Sequence, residues 1–502
     1  MSRADAGAPP VRRHFTEEQQ RNRRLSRRFS VIALPAVLLA GIPLCIVASP
    51  IIFALVLVGA SAWDLVAPLE PSQWAGLGRV AHALPELWNL IRGRPADVPW
   101  AALALLLVAP GMIVMLVAWP FVRHLSRVAG AGAILRLIPS REPGPGLAER
   151  QLRNVVGEMA VAAGVPVPAV RIIESEAVNV VAIGLTTADA TILASEGFLR
   201  TLTRDERQAM VGHLIASVGN GDLEIAAVVL SIVETWALLA TLLESVVYPE
   251  KRALVRDFAR ASARSVTGKV TPDEARAVVN RLIAGEPPDP MTVAENFQPH
   301  NLGGVLVGLF VLIPVLATIG LASIAARQAA SLFTVIGFGP WIAAMWRSRR
   351  RLADATAVQL SRNPTALAAA VARMAESDVE IVEAWPVYFL FPAWVPISGA
   401  NAERARGAAE IVGMRLDPEP RLEELARLGG VVDGGRPALT MRERLRRDLG
   451  SPSEVAKALG WGVVAVALVA LLLAGTAALT TWLLGLLWSL LQALGAGPPP
   501  PS

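Results

Sequence analysis

In this chain of 502 residues, His213 is the main candidate for metal binding or catalysis, because of the residues around it. It lies in the string MVGHLIASVGNGD, which covers residues 210–222. A neutral imidazole can bind a metal ion or transfer a proton, but a metal site needs further ligands nearby, typically one helical turn away. The residue one turn later is Ser217, and the residue directly after His213 is Leu214. A lone histidine in such apolar surroundings is more often a hydrogen-bonded core residue than a ligand.

The rest of the chain offers few other groups for metal or redox chemistry. The other four histidines, His14, His82, His124 and His300, are far apart in the sequence, so no two histidines share a helical turn. Cys45 is the single cysteine, which excludes an intramolecular disulfide and any cysteine-based metal or redox motif.

The surroundings of His213 resemble the HtpX-type and CAAX-prenyl-protease family of membrane zinc metallopeptidases. The string Asn179-Val-Val-Ala182-Ile-Gly184 resembles the N-A-F-A-x-G edge strand of that family. Three further segments match in the family's order, namely Thr191–Leu199 (its next strand and gLL segment), Leu202–Glu206 (the lead into its active-site helix) and Leu352–Pro364 (its LADA…AV…tRNP helix). The matches run from about Leu152 to Leu367.

The resemblance implies a gluzincin-like α+β cytoplasmic metallopeptidase domain with a small sheet. In that family both histidines of H-E-x-x-H and a glutamate on a later helix bind zinc, and the glutamate of the motif is the general base. The ligand positions correspond here to His213, Ser217 and Arg350, and the base position to Leu214. The resemblance further implies that Asn179, Ala182 and Gly184 bind a substrate strand, and that Asn220, Asp222 and Asp354 have structural roles around the site.

These residue types are poorly suited to zinc. One imidazole cannot hold zinc against water, a guanidinium offers no lone pair, and leucine cannot accept a proton. We therefore expect no cofactor and no confident catalytic residue, with zinc present only if the site is active by an unconventional ligand set. Recruitment of Asp222, Asp354 or Glu224 is the alternative. The basic run at Arg347–Arg351 is interpreted as a cytoplasmic anchor at the end of a membrane helix.

Composition places this domain in a membrane protein that is mainly α-helical. Hydrophobic residues make up 53% of the chain, charged residues only 18%, and the mean hydropathy is +0.48, which excludes a water-soluble globular protein. Apolar runs predict at least four transmembrane helices, because about 20 apolar residues cross a bilayer. The predicted units are a basic segment at 1–30, a transmembrane hairpin with an external loop at 31–122, a metallopeptidase-like domain at 147–367 with membrane segments at 223–248 and 302–346, a helical cytoplasmic region at 368–456, and a C-terminal membrane segment at 458–494 that crosses once or twice.

Arginines flank the predicted spans, which by the positive-inside rule puts the N-terminus and the metallopeptidase-like domain in the cytoplasm. The arginine-rich, lysine-poor composition further suggests a bacterial inner membrane. Because the basic residues flank apolar segments and form no stripe, nucleic acid is not expected as a partner. Within the domain we predict a helix at Leu147–Ala163, strands at Ala169–Glu174 and Thr191–Ala194, and a helix opened by a capping box at Thr203–Glu206.

Three functions are open from the sequence. The first is a catalytically inactive pseudoprotease that binds or scaffolds extended or misfolded polypeptides, or regulates an active protease, in membrane protein quality control. The second is an active zinc metalloendopeptidase with an unconventional site that cleaves membrane or misfolded proteins. The third is a channel or transporter, motivated by Glu234 within an apolar run. The bilayer is a partner in all three, and a homo-oligomer is open.

Overall fold

The structure is a computed structural model. It describes residues 41–284 apart from ten positions (65, 66, 68, 69, 92, 94, 96, 137, 246 and 247), together with 339–375, 381–382, 397–398, 418–431 and the isolated positions 20, 24, 31, 35 and 39. Most of the predicted membrane segment at 302–346, all of the segment at 458–494 and most of the helical region at 368–456 lie outside these residues.

Among the described residues, three long helices precede the unit that contains the sheet: α1 (Ile42–Asp64), α2 (Pro71–Ile91) and α3 (Trp100–Ala129). Helices α1 and α3 pack closely because Gly111 has no side chain, and a Cβ there would lie 2.9 Å from the Cα of Cys45. Ser49 accepts a hydrogen bond from the backbone of Gly111 at 2.9 Å. Helix α2 occupies much of the segment predicted as the external loop, so that segment is more ordered than its mixed composition indicates.

A short helix, α4 (Ala131–Leu135), leads from α3 into a unit of α5 (Leu147–Ala163) and a three-stranded sheet. The strands are β1 (Ala169–Ile173), β2 (Val180–Ile183) and β3 (Thr191–Ser195). The order is β1-β3-β2, with β3 parallel to β1 and antiparallel to β2. These elements confirm the helix and the two strands predicted for this region, and they leave β2 at one edge of the sheet.

Helix α6 (Glu196–Thr201) precedes the central helix α7 (Arg204–Gly219). The predicted capping box is present, because the Thr203 hydroxyl accepts from the backbone of Glu206 and the Glu206 carboxylate accepts from the backbone of Thr203. Gly221 ends the turn after α7 with a φ of 81°, a left-handed conformation that suits glycine. The chain thereby reverses into the next helix within three residues.

Helix α8 (Asp222–Glu244) crosses α3, and the hairpin of α9 (Pro249–Val266) and α10 (Pro272–Ala284) packs beside both. Among the described residues, α3 and α8 are the two helices long and apolar enough to cross a membrane. Near their crossing, Trp119 donates to the hydroxyl of Ser231 at 2.9 Å, and Ser126 donates to the carboxylate of Glu234 at 2.5 Å.

The remaining described elements are α11 (Gly339–Ser361), α12 (Pro364–Ala375), the two-residue strands β4 (Ile381–Val382) and β5 (Ile397–Ser398), and α13 (Pro418–Arg427). Helix α11 packs along α7, and α13 packs on α12 through Leu422, Leu425 and Leu428. The three helices α7, α11 and α13 together surround His213.

Candidate functional site, a buried cleft with two arginine–aspartate pairs

His213 lies in the middle of α7, with 1% of its side chain exposed. Its Nδ1 atom is 2.8 Å from Oδ1 of Asp354, which α11 brings against α7. Asp354 was expected to have a structural role near the site, and the structure places it in direct contact with the histidine. A carboxylate on Nδ1 fixes the orientation and tautomer of an imidazole and leaves Nε2 to face other groups.

Arg421, on α13, is the third member of this cluster. Its Nε donates to Oδ2 of Asp354 at 2.7 Å and its Nη2 donates to Oδ1 at 2.6 Å, which is the bidentate geometry of strong guanidinium–carboxylate pairs. The same Nη2 lies 3.3 Å from Nδ1 of His213. Only 9% of the Arg421 side chain is exposed, so a full positive charge is buried beside the histidine.

A second pair lies where α7 meets α8. Ser217, one turn after His213, donates its hydroxyl hydrogen to Asp222, and Arg349 of α11 donates to the other oxygen of the same carboxylate. Nη2 of Arg349 also donates to the carbonyl oxygen of Asn220 at 2.5 Å. The Asn220–Asp222 turn, for which a structural role is predicted, is therefore bound by Arg349, the residue directly before Arg350.

The charges of the cluster determine the protonation of its members. Burial alone raises the pKa of Asp354, but the positive charge of Arg421 and the hydrogen bonds from Arg421 and His213 more than offset it and lower that pKa to about 2. Burial lowers the pKa of His213, and the charge of Arg421 lowers it further, against the opposing effect of Asp354. At neutral pH the cluster therefore contains a carboxylate, a guanidinium and a neutral imidazole.

The positions predicted to correspond to the general base and the third zinc ligand of the family hold groups without basic lone pairs. Leu214 is buried, and its side chain is purely apolar. Arg350 is half-buried on α11, one turn before Asp354 and hence on the same side of that helix. The arginine that reaches His213 is Arg421, which the sequence interpretation missed. Nothing in the local pattern around residue 421 connects it with a histidine 208 residues earlier.

The predicted strand-binding residues lie on and beside β2, which packs against α7. The backbone N–H of Asn179 donates to the hydroxyl of Ser195, and its carbonyl accepts from the backbone N–H of Ser195, while neither atom of its side-chain amide has a partner among the described residues. Gly184 sits where a Cβ would lie 3.0 Å from the Cα of Ala190. Residues 179–183 are all buried, including Ala182, so the free edge of β2 is not open to solvent.

The side chains at the predicted ligand positions show whether this site can bind zinc. At the three corresponding positions the structure has one imidazole, a hydroxyl that donates to Asp222, and a guanidinium, which has no lone pair to offer. Arg421 also places a positive charge next to the imidazole. Within the described ranges, no group of three or more His, Cys, Asp or Glu side chains is arranged to hold a metal ion. The residues present do not fit zinc.

Comparisons with known proteins identify the region around this cleft. Residues 147–268 match the model of Peptidase family M48. The chain is 35% identical over 91 residues to Protease HtpX of Glaesserella parasuis serovar 5, a match that covers 18% of this chain and 32% of the relative. It is 33% identical over 89 residues to Protease HtpX homolog of Streptococcus pneumoniae, covering 18% of this chain and 30% of the relative.

A third relative, Protease HtpX homolog of Nitrosomonas eutropha, is 33% identical over 107 residues, which is 21% of this chain and 35% of the relative. The matched segment thus spans about a third of the length of these relatives. No solved structure matches the chain.

Proposed function

Residues 147–268 of this chain are a peptidase family M48 domain of the HtpX type, and from this premise we propose that the chain is a membrane-embedded pseudoprotease. In this proposal it binds extended or misfolded polypeptides, or an active protease, without cleaving peptide bonds. It resides in the bacterial inner membrane, with its N-terminus and metallopeptidase-like domain in the cytoplasm. The apolar helices α3 and α8 support the membrane part of the proposal.

The contact between Arg421 and the His213–Asp354 pair is the observation that carries the proposal. A zinc ion in reach of the imidazole would share a buried cleft with a guanidinium that remains protonated at all physiological pH values. Two like unit charges 4 Å apart repel by about 4 kcal/mol at an effective dielectric constant of about 20, and a divalent ion doubles that figure. The cleft therefore already contains the positive charge that a metal would bring.

Hydrolysis also requires a group that activates water. In the motif H-E-x-x-H this group is the glutamate, and its position is occupied here by Leu214. The carboxylate nearest to His213, that of Asp354, accepts two hydrogen bonds from Arg421, and its low pKa makes it a weak base. Lost catalysis thus follows from two independent changes, one to the ligands and one to the base.

Polypeptide binding does not depend on metal, because strand addition uses backbone groups. Strand β2 is the edge strand that would accept such a peptide, and the Asn179 amide, unpaired among the described residues, is a polar group available beside it. Since β2 is buried, binding requires the neighbouring chain to open at this edge.

Metal analysis of the detergent-purified protein tests the loss of the zinc site. We expect zinc far below one equivalent and no cleavage of casein, with an active HtpX protease purified in parallel as the positive control. Zinc near one equivalent that disappears in His213→Ala would contradict the proposal. In addition, Leu214→Glu is expected to remain inactive, because Ser217 and Arg350 still provide no ligands.

Photo-crosslinking tests polypeptide binding. A photoreactive amino acid at Val181 on β2 is expected to capture an unfolded polypeptide, whereas the same group at Ala169, an exposed residue on the opposite edge strand β1, serves as the matched control. Equal capture at both edges would argue against β2 as the binding strand.

An active zinc metalloendopeptidase is the second candidate, favoured by one observation. The Asp354 contact with Nδ1 of His213 is the arrangement that commonly orients a zinc-binding histidine. The metal analysis above separates the two candidates, since only the active enzyme requires stoichiometric zinc.

A further inference from the structure

Around His213, one carboxylate and one imidazole face a single guanidinium, that of Arg421. The Asp354 carboxylate offers both oxygens to one guanidinium, at 2.7 and 2.6 Å, and the imidazole nitrogen lies against the same group at 3.3 Å. Asp354 and His213 are almost completely buried, and they lie on two different helices, α11 and α7. A buried carboxylate without a cation would be strongly unfavourable.

The cation comes from a separate and short element. Helix α13 has ten residues, begins at Pro418, and is joined to α11 by a second ion pair between Glu424 and Arg351 at 3.1 Å. Its leucines pack on α12, and the backbone of Val431 donates to the hydroxyl of Thr365 at 3.1 Å. Arg421 is the side chain of α13 that enters the cleft.

We propose that Asp354 and His213 form a guanidinium-binding site, and that helix α13 is its internal ligand, with Arg421 closing the cleft in place of a metal ion. This inference deepens the proposed pseudoprotease function and rests on it for the absence of zinc. The chemical class that the site takes is a guanidinium, the head group of an arginine side chain. An ammonium is a poorer occupant because it lacks the planar fork that matches a carboxylate.

Chemical rescue of the purified full-length protein tests the site. Arg421→Ala removes the guanidinium and is expected to lower the melting temperature by about 10 °C, because Asp354 is left uncompensated. Methylguanidinium at about 10 mM, far below denaturing concentrations, is expected to restore a measurable part of that loss by binding the folded state. Tetramethylammonium, which has no hydrogen-bond donor, is expected to restore none.

Arg351→Ala is the matched control. It also removes an arginine that contacts α13, but its partner Glu424 lies outside the cleft and no buried cavity is left. Methylguanidinium should raise the melting temperature of Arg421→Ala and leave the wild type and Arg351→Ala unchanged. Equal shifts in all three proteins, or no shift in Arg421→Ala, would overturn the guanidinium site.

Zinc is the second probe, because it separates failure of this inference from failure of the proposed function. Zinc near one equivalent in the wild type would overturn both, whereas stabilisation of Arg421→Ala by zinc but not by methylguanidinium would overturn the guanidinium site alone. A lack of response to either probe, with no zinc in the wild type, would overturn the guanidinium site alone.

If Arg421→Ala does not yield folded protein, the double variant Arg421→Ala/Asp354→Ala decides the question. It removes the charge together with its partner, so it is expected to fold and to be insensitive to methylguanidinium. Failure of the double variant to fold would overturn the proposal, because the uncompensated carboxylate would then not be the cause of the loss.

Discussion

The cleft around His213 and the crossing of α3 and α8 both bury carboxyl groups, but they treat them differently. In the cleft, Asp354 and Asp222 each face a guanidinium, from Arg421 and Arg349 respectively. At the helix crossing, Glu234 meets the hydroxyl of Ser126, and its other oxygen has no partner among the described residues. Removing one partner of a buried charge pair destabilises the protein, because the remaining charge has no counter-charge. A carboxyl group whose partner is neutral can instead be replaced by a neutral group at little cost in stability.

Asp354→Asn is the change with the largest expected effect. It leaves Arg421 buried without a counter-charge, so we expect a loss of about 3–5 kcal/mol in the free energy of unfolding. Denaturant unfolding in detergent, followed by tryptophan fluorescence, measures it. Glu424→Gln, which removes the half-buried partner of the exposed Arg351, is the control and should cost at most about 1 kcal/mol. Similar losses for both variants would contradict the distinction between cleft and surface.

The pH dependence of stability sharpens the same contrast. The pKa of His213 is lowered in the folded state, so the unfolded chain binds protons first and stability falls as the pH drops below about 6.5. The pKa of Asp354 is also lowered, from 3.8 to about 2, so a further loss of about 2 kcal/mol is expected between about pH 4 and pH 2.

Unfolding measured across this pH range checks both windows. His213→Phe should remove the upper window and narrow the lower one, because the hydrogen bond from His213 is one of the causes that lower the pKa of Asp354. If stability were flat between pH 7 and pH 5 in the wild type, the lowered pKa of His213 would be wrong.

Ser217→Ala is expected to have a moderate effect. It removes the hydrogen bond to Asp222 but leaves the pair with Arg349 intact, so we expect a loss of about 1 kcal/mol. Thermal unfolding of this variant beside Ser265→Ala, whose hydroxyl only donates to a carbonyl within its own helix, supplies the comparison. A loss as large as that of Asp354→Asn would show that the hydroxyl, and not the arginine, holds Asp222.

Glu234→Gln is expected to have the smallest effect, within about 0.5 kcal/mol or slightly stabilising. The substitution keeps an acceptor for Ser126 and removes a carboxyl for which no described residue supplies a cation. The same unfolding assay measures it. A loss above about 3 kcal/mol would reveal a counter-charge at the crossing and remove the difference between the two regions.

Short sequence patterns were sufficient to predict many of the helices and strands around the site. The capping box at Thr203 and the strands near Ala169 and Thr191 are present as predicted, because each depends on residues only a few positions apart. The amphipathic helix α2 was missed, since its segment shows mixed polarity and no clear caps.

Only those residues of the site that the family resemblance indicates were predictable from the sequence. The resemblance pointed to His213 and Asp354, and the structure brings them into contact. It could not indicate which arginine of the run 347–351 turns towards the cleft, because that depends on the rotation of α11 against α7. Arg349 makes the pair with Asp222, while Arg350 is the position that the family resemblance predicts as a ligand.

By itself the sequence determined that the predicted ligand positions His213, Ser217 and Arg350 carry an imidazole, a hydroxyl and a guanidinium, because residue chemistry does not depend on packing. Only the tertiary structure decided what balances Asp354. Its partner Arg421 lies 67 residues further along the chain, and it reaches the cleft because the leucines of α13 pack on α12. Contacts between such distant residues follow from the fit of whole surfaces, which short-range periodicity does not encode.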